Sequence, residues 1–399
     1  MNFSKSYKDL SSACEKRVLI LDGAFGTMVQ RLNLTEEDFR GELFKGHPVE
    51  LKGNNDVLNL TAPEKIKSIH RAYLDVGADL IETNTFSSTK IGQGEYQLQE
   101  KAYDLAKAGA RCAKEAIEEY NQSREAMGEK PRQCFAVGSI GPTSKTASMS
   151  PDVSDPAARA VTFAELVDAY KEQVEGLLDG GVDVLLVETV FDTLNCKAAL
   201  YAIQKVCDSR GELYPIMVSG TITDASGRLL AGQTAKAFWH SLSSYPIFSI
   251  GFNCALGAKD MLPHLRDVND AFVRVSVHPN AGLPNEFGGY DETPEMMAQW
   301  IEQYADEGLV NIVGGCCGTS PDTIKAFAKV LEGRKPRCIP QNKRTLLLSG
   351  LDPMEVSPES RFVNIGERLN MAGSLKFARL IREKNWTEAI NIGTTQVEN

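Results

Sequence analysis

Short apolar runs of strand length alternate, along most of the chain, with stretches whose apolar residues recur every three to four positions. Those are the signatures of strands buried on both faces and of amphipathic helices. The first run is Arg17-Val18-Leu19-Ile20-Leu21. A long polar insertion follows, to about Leu60, and Pro63 to Val76 then reads as a helix with Ile66, Ile69 and Tyr73 on one face. Strands are predicted over 78–81, 134–137 and 182–187, with helices from about Glu95 to Tyr120 and from Phe163 to Leu178 between them. The scheme continues with a helix over 192–207, a strand over 215–218, a helix around 234–242 and a strand over 247–250. A short helix, a strand over 273–277, a helix from Thr293-Pro294 to about Asp306, a strand over 309–313 and a helix over 321–331 complete it.

Eight strand-then-helix units in one run predict an α/β fold of the (β/α)8 TIM-barrel type, each unit supplying a right-handed crossover. A doubly wound open sheet is the competitor. The count of eight favours the barrel, as does the placement of polar clusters after the strands, at the end where barrels carry their active sites. Ser219, Asn253, Asn280 and the acids Asp22, Glu82 and Glu188 all fall there. The alternation stops after Pro336. Residues 1–340 are therefore expected to form the barrel and 341–361 an irregular linker or packing segment. Within 362–399, Phe362 to Asn370 reads as a fresh strand and Phe377 to Ile390 as a fresh helix. One such unit cannot bury a core by itself, so the segment reads as the truncated start of a second domain, in a piece of a longer protein.

Charge narrows the function. A net charge of −10 argues against nucleic acid and against a basic membrane-binding surface. Met1 to Val18 lacks the apolar core of a secretory signal. No apolar run approaches the roughly 20 residues of a membrane span. Nine scattered cysteines suit a reduced compartment better than a disulfide framework, so a cytoplasmic protein is expected.

The chemistry concentrates in Val313-Gly314-Gly315-Cys316-Cys317-Gly318-Thr319-Ser320-Pro321, which follows the last apolar run. Ser320 suits a helix N-cap and Pro321 a first helical position, so the two cysteines lie on a glycine turn at a strand tip. They could be two buried small hydrophobes, a vicinal disulfide, or two metal ligands. Zinc needs more donors than two. The best candidate for a third is Cys254 in Gly251-Phe252-Asn253-Cys254-Ala255-Leu256-Gly257, a strand tip two places away around a barrel. Three thiolates would leave zinc an open position and a net negative charge. That makes a weak Lewis acid toward carbonyls but a good holder of a substrate thiol as thiolate. The implied reaction is sulfur attack on an activated carbon, with a methyl group transferred.

The acids are open to two readings. Glu188 is either a structural carboxylate at a strand end or a partner for a substrate ammonium. Asp22 either forms an Asx turn or anchors a turn whose backbone N–H groups, Gly23 to Phe25, receive a carboxylate. Glu82 and Asn84 either touch substrate or support the residues that do. His278 reads as a hydrogen-bonded turn residue before Pro279, and Cys14, Cys112, Cys134, Cys196, Cys207 and Cys338 read as packing residues.

Taken together, Asp22-Gly23-Ala24-Phe25-Gly26-Thr27-Met28, Glu82-Thr83-Asn84-Thr85-Phe86, Val187-Glu188-Thr189-Val190-Phe191-Asp192-Thr193 and Ser219-Gly220-Thr221-Ile222-Thr223-Asp224 resemble the homocysteine S-methyltransferase family. So do the two cysteine motifs and Pro279-Asn280-Ala281-Gly282-Leu283-Pro284, all in family order from about residue 17 to 335. Within the family the chain is most similar to the N-terminal module of cobalamin-dependent methionine synthases. The resemblance implies a zinc barrel that binds L-homocysteine, with zinc on Cys254, Cys316 and Cys317. It implies substrate contacts from Asp22, Gly23, Ala24, Phe25, Glu188, Ser219 and Asn253. It also makes Val363 to Asn370 similar to the opening of a pterin-binding barrel, in which Glu367 and Asn370 match polar positions. Such enzymes take the methyl from methylcobalamin, replenished from 5-methyltetrahydrofolate by separate cobalamin-binding and folate-binding domains. The cobalamin motif Asp-x-His-x-x-Gly does not occur in this sequence, and the second barrel is incomplete. The chain alone is thus expected to hold zinc and homocysteine and to accept a methyl only from added methylcobalamin.

Overall fold

The computed structural model describes residues 2–223, 226–286, 289–342 and 345–398. These residues fall into two compact units, Met1–Lys343 with Leu347–Met354, and Arg344–Leu346 with Glu355–Asn399.

The larger unit is an eight-stranded parallel barrel. Its strands are β1 (Leu19–Ile20), β2 (Leu80–Glu82), β3 (Phe135–Ile140), β4 (Val184–Val190), β5 (Ile216–Gly220), β6 (Ser249–Gly257), β7 (Arg274–Asn280) and β8 (Ile312–Val313). Neighbours in sequence are neighbours in the sheet from β2 round to β8, and β8 pairs with β1. A parallel bridge between Leu21 and Leu80 closes the ring, with Asp79 N–H donating to the Ile20 carbonyl at 2.7 Å. The eight strands predicted for the barrel are therefore all present.

The main helices after these strands are α1 (Pro63–Asp75), α2 (Ala102–Ala126), α3 (Phe163–Gly180), α4 (Thr193–Arg210), α5 (Ala235–Leu242), α6 (Ala258–Asp267), α7 (Pro294–Asp306) and α8 (Pro321–Leu331). Proline occupies the first turn of α1, α7 and α8, where its missing N–H has no helical partner to lose. Thr162 and Glu165 form a capping box on α3, and glycines in the left-handed conformation, Gly181 and Gly211, end α3 and α4. The long α2 starts later than its periodicity predicts, because shorter turns at Lys90–Gly94 and Gln99–Lys101 precede it.

Two apolar layers hold the barrel. Alternate strand residues such as Ile20, Ile81, Ala136, Leu185, Val218 and Val275 face the helices. Their neighbours Leu19, Leu21, Leu80, Val137, Leu186 and Met217 fill the interior, where Leu10 and Cys14 of the N-terminal helix Lys5–Lys16 pack on them. The interior is thus mainly apolar at this level, broken by the buried hydroxyls of Ser249 and Ser276, and the carboxylates lie above it.

The segment after the barrel departs from expectation. Leu346–Ser349 and Pro353–Val356 pair as two short strands, so 341–361 is not irregular throughout. The run Leu346-Leu347-Leu348 before Gly350 carries that signal. In the smaller unit Phe362 to Asn370 forms no strand, and no described strand lies alongside to supply its ladder. The predicted helix is two helices, Leu375–Arg382 and Trp386–Glu398, interrupted where Lys384 adopts a φ of 55°. None of the described helices is long and apolar enough to cross a membrane.

Candidate functional site

Side chains two apart on a strand face the same way. Leu80, Val137, Leu186 and Met217 lie in the barrel interior, so Glu82, Ser139, Glu188 and Ser219 form the layer above them. This is the floor of a site at the C-terminal mouth. Glu188 is 6% exposed and accepts a short hydrogen bond from the Ser139 hydroxyl. A register shift in β4 between Val187 and Val190 sets its direction, with Thr189 held at a φ of 54°. Burial pushes the Glu188 carboxyl up to about 7, against the stabilising Ser139 bond. Asp22, 1% exposed, accepts the Glu82 N–H at 3.0 Å on Oδ2, while its buried Oδ1 has no hydrogen-bond partner. Burial and the neighbouring carboxylates raise both Asp22 and Glu82 well above the usual carboxylate range.

The thiols stand at the rim. β6 carries a second register shift, between Asn253 and Gly257, and inside it Cys254 and Ala255 adopt φ values of 61° and 59°. Left-handed conformations are costly for non-glycine residues and persist only where surroundings impose them. Here they bring Cys254 Sγ to 3.7 Å from Cys317 Sγ. Cys316 completes a group whose ligating atoms all lie within 4.8 Å of one another. Asn253 braces the arrangement. Its Oδ1 accepts from Ser219 Oγ at 2.7 Å and Thr189 N at 3.0 Å, and its Nδ2 donates to Thr189 Oγ1 at 2.9 Å. The same Nδ2 lies 3.8 Å from Cys316 Sγ.

The turn bearing Cys316 and Cys317 is fixed by backbone bonds from three sides. Gly315 N–H donates to the Asp22 carbonyl at 2.9 Å, Cys316 N–H to Pro279 at 2.8 Å, and Ala281 N–H to Cys317 at 3.0 Å. Thr319, fully buried, ties the turn to the loop after β1. Its hydroxyl donates to the Cys316 carbonyl at 2.6 Å and accepts the Ala24 N–H at 3.0 Å. Gly318 adopts a φ of 80°, and a Cβ there would lie 2.4 Å from the Tyr290 ring. Tyr290 in turn hydrogen-bonds Cys317.

Electrostatics distinguish the sulfurs. Hydrogen bonds from Cys254 and then Cys316 pull the Cys317 thiol well below its ordinary value, while the same partnerships push Cys316 up. One thiolate is stabilised by its neighbours' S–H groups; three adjacent thiolates need a cation. A soft dication fits such a donor set, and the three cysteines are half-buried at the barrel mouth.

The residues predicted from sequence are thus brought together: Cys254, Cys316 and Cys317 at the rim, Asn253 and Ser219 bonded to each other below them, Asp22 and Glu188 on the floor. One detail differs. The Ala24 N–H is occupied by Thr319, so the turn from Gly23 to Phe25 does not present all its donors to a ligand. Asn84 is engaged by Asn55 and Asn59 of the polar insertion. His278 is a buried strand residue with an unpartnered Nε2, not a hydrogen-bonded turn residue, and burial lowers its pKa to about 3. Cys338 is exposed rather than packed, and Cys134 is half-buried. Glu367 and Asn370 lie exposed in the smaller unit, where Asn370 Nδ2 donates to Glu367 Oε1 at 3.3 Å. Asp224 lies outside the described residues. Periodicity gave no sign of Thr189, Tyr290 or the bridging role of Thr319, since each acts through contacts between distant loops.

Comparison with known proteins agrees with this geometry. The family profile described as Homocysteine S-methyltransferase matches residues 19–331. Among solved structures, the homocysteine methyltransferase MmuM from Escherichia coli is similar in its oxidized form, with a TM-score of 0.64 at 20% identity, covering 82% of this chain and 99% of that one. Its metallated form gives a TM-score of 0.63 at 20% identity over the same shares, 82% and 99%. Its apo form gives 0.57 at 19% identity, covering 82% of this chain and 98% of that one.

Proposed function

The chain belongs to the homocysteine S-methyltransferase family, and on that premise we propose that it transfers a methyl group from methylcobalamin to the thiol of L-homocysteine, giving methionine. The observation that carries this is the convergence of the Cys254, Cys316 and Cys317 sulfurs within 4.8 Å at the barrel mouth, above the buried acids Asp22 and Glu188, which no cation among the described residues pairs. A zinc ion on the three thiolates would supply, when bound, a fourth position that keeps a substrate thiol deprotonated at neutral pH. The rest is positioning by the chain. Glu188 and Asp22 receive the substrate ammonium, Asn253 holds the floor and rim in register, and the rim sulfurs leave the substrate sulfur facing outward. Fixing both ends of a small amino acid turns an encounter into an aligned attack on the donor methyl. What supports methylcobalamin as donor is the similarity of Val363 to Asn370 to the start of a pterin-binding barrel; 5-methyltetrahydrofolate would replenish it through folate- and cobalamin-binding domains elsewhere.

Two experiments test the proposal. Zinc-edge absorption with and without homocysteine should gain one sulfur neighbour on binding; an unchanged shell would leave a structural metal instead. Methylcobalamin, betaine and S-methylmethionine should then be compared as donors, and turnover with either of the latter two alone would reassign the donor.

A further inference from the structure

We propose that Glu82 is a specificity-determining residue: with Asp22 and Glu188 it builds an acidic floor that demands a free α-ammonium on the thiol substrate. This deepens the reading above and rests on it. Glu82 follows Leu80 by two positions, as Glu188 follows Leu186, so both carboxylates project into the barrel above the same apolar layer. The Glu82 N–H holds Asp22 Oδ2 at 3.0 Å, which leaves Asp22 Oδ1 buried and without a partner. None of the ion pairs among the described residues involves Asp22, Glu82 or Glu188, and the nearby guanidiniums of Arg17 and Arg132 are both committed to Asp79 at the opposite end of β2. Three acids therefore share the hydroxyls of Ser139 and Thr189, both on Glu188, and the Glu82 N–H on Asp22, with no cation among their partners.

The spacing selects the cation. Among the described residues the three thiols are the one group of three or more metal donors whose ligating atoms lie within 4.8 Å of each other. The three carboxyl groups stand too far apart to share a metal ion, but an ammonium reaches several acceptors at once through its N–H bonds. A substrate lacking the amine leaves the Asp22 oxygen orphaned and the repulsion among the acids unrelieved. Rejection by unpaired buried groups is the strong form of specificity. Two acids would hold an ammonium; the third raises the penalty for arriving without one.

The test uses the zinc-loaded chain with methylcobalamin and two acceptors, L-homocysteine and its des-amino analogue 4-sulfanylbutanoate. Wild type should prefer homocysteine strongly in kcat/KM. Glu82→Gln should reduce that preference about tenfold or more, mainly through a higher KM for homocysteine. It should melt no lower than wild type, because glutamine keeps the shape and thins a crowd of three neighbouring acids. An unchanged preference, or an equal loss toward both thiols, overturns the assignment of Glu82 while leaving the methyl transfer intact. A marked drop in melting temperature would make Glu82 a structural residue and also overturn it. Wild type that methylates neither thiol ends both readings.

Discussion

Replacing Thr319 by valine isolates one hydroxyl that joins the two halves of the site. Valine keeps the shape and buries the same surface, so the change removes only hydrogen bonds. Two partners are affected. The Ala24 N–H loses its acceptor at 3.0 Å and becomes a half-buried orphan. The Cys316 carbonyl loses a donor at 2.6 Å but keeps the Thr319 N–H at 3.1 Å. Leaving a buried donor unmade costs about 1–3 kcal/mol; a half-buried donor lies at the low end and the partly compensated carbonyl adds less, so the whole should be about 1–3 kcal/mol. For a domain of this size that corresponds to several degrees of melting temperature. The larger effect should be on the metal. The turn keeps the backbone bonds of Gly315 and Cys316 to Asp22 and Pro279 but loses the hydroxyl bridge from the Cys316 carbonyl to Ala24, so the Cys316 sulfur is held less firmly, and loss of such support typically weakens metal binding about 10–100-fold. Competition with a chromophoric zinc chelator measures this, and Thr319→Ser, which restores the hydroxyl, should recover most of it. A valine variant with wild-type melting and wild-type zinc retention would refute the claim that this hydroxyl organises the turn.

Three further predictions follow from other residues. Cys316→Ser should abolish both zinc retention and methyl transfer, whereas serine at the exposed Cys338 should leave both as in wild type; metal analysis and single-turnover assays separate them. Gly318→Ala should be far more damaging than Gly308→Ala. Both glycines have positive φ, 80° and 64°, and alanine costs about 1–2 kcal/mol for that alone, but only at Gly318 would the new Cβ meet a ring, Tyr290, at 2.4 Å. Denaturant midpoints for the two variants should differ accordingly. Asp56, 3% exposed, is pushed up to about 7 by burial although Ser87 N–H and Ser88 Oγ donate to it. The folded chain therefore keeps its proton between about pH 4 and 7 where the unfolded chain has lost it, and stability falls as pH rises through that window. Asp56→Asn should flatten this part of the pH–stability curve and raise stability above pH 7, by up to about 4 kcal/mol.

The barrel was legible because strands buried on both faces must be nearly continuous apolar runs, and the turn after each strand must be polar. That constraint made all eight runs visible and put the cysteines and acids at one end. The convergence of Cys254 with Cys316 and Cys317 was legible for the same reason, since tips of nearby parallel strands share a rim. The fine geometry was not. Thr189, Cys254 and Ala255 adopt left-handed φ values that their side chains disfavour, so no local propensity announces the two bulges that aim Glu188 and Cys254. Thr319 bonds Ala24 across 295 positions, a contact that exists only once the ring has closed. In the smaller unit the pattern misled: Phe362, Val363 and Ile365 make an apolar-rich run as a strand would, yet Phe362 and Ile365 remain 93% and 82% exposed with no described strand beside them. Such a run states what could be buried, not whether anything buries it.

The vertical order of the site is itself informative about the substrate. The acids lie low, where burial raises the cost of their charge, and the thiols lie high, half-exposed at the rim. Reversed, the arrangement would fail on both counts. Carboxylates at the rim would be screened by water and would discriminate poorly between a free and a missing ammonium. Thiols on the floor would hold the substrate sulfur where no separate methyl donor could approach it in line. A ligand that satisfies both levels must carry a cation at one end, a sulfur at the other, and a short flexible chain between them. The interior below is a packed, mainly apolar layer of Leu80, Val137, Leu186, Met217 and Phe248 that holds no carboxylate, so the cationic end finds its acceptors at Asp22 and Glu188. The distance between floor and rim then acts as a ruler for chain length, on which a thiol one methylene shorter would reach the acids or the rim sulfurs but not both. Cysteine should therefore bind through its ammonium yet fail to add a sulfur to the zinc shell, an outcome that zinc-edge absorption reads directly; a cysteine complex with the same added sulfur as homocysteine would remove the ruler from the argument.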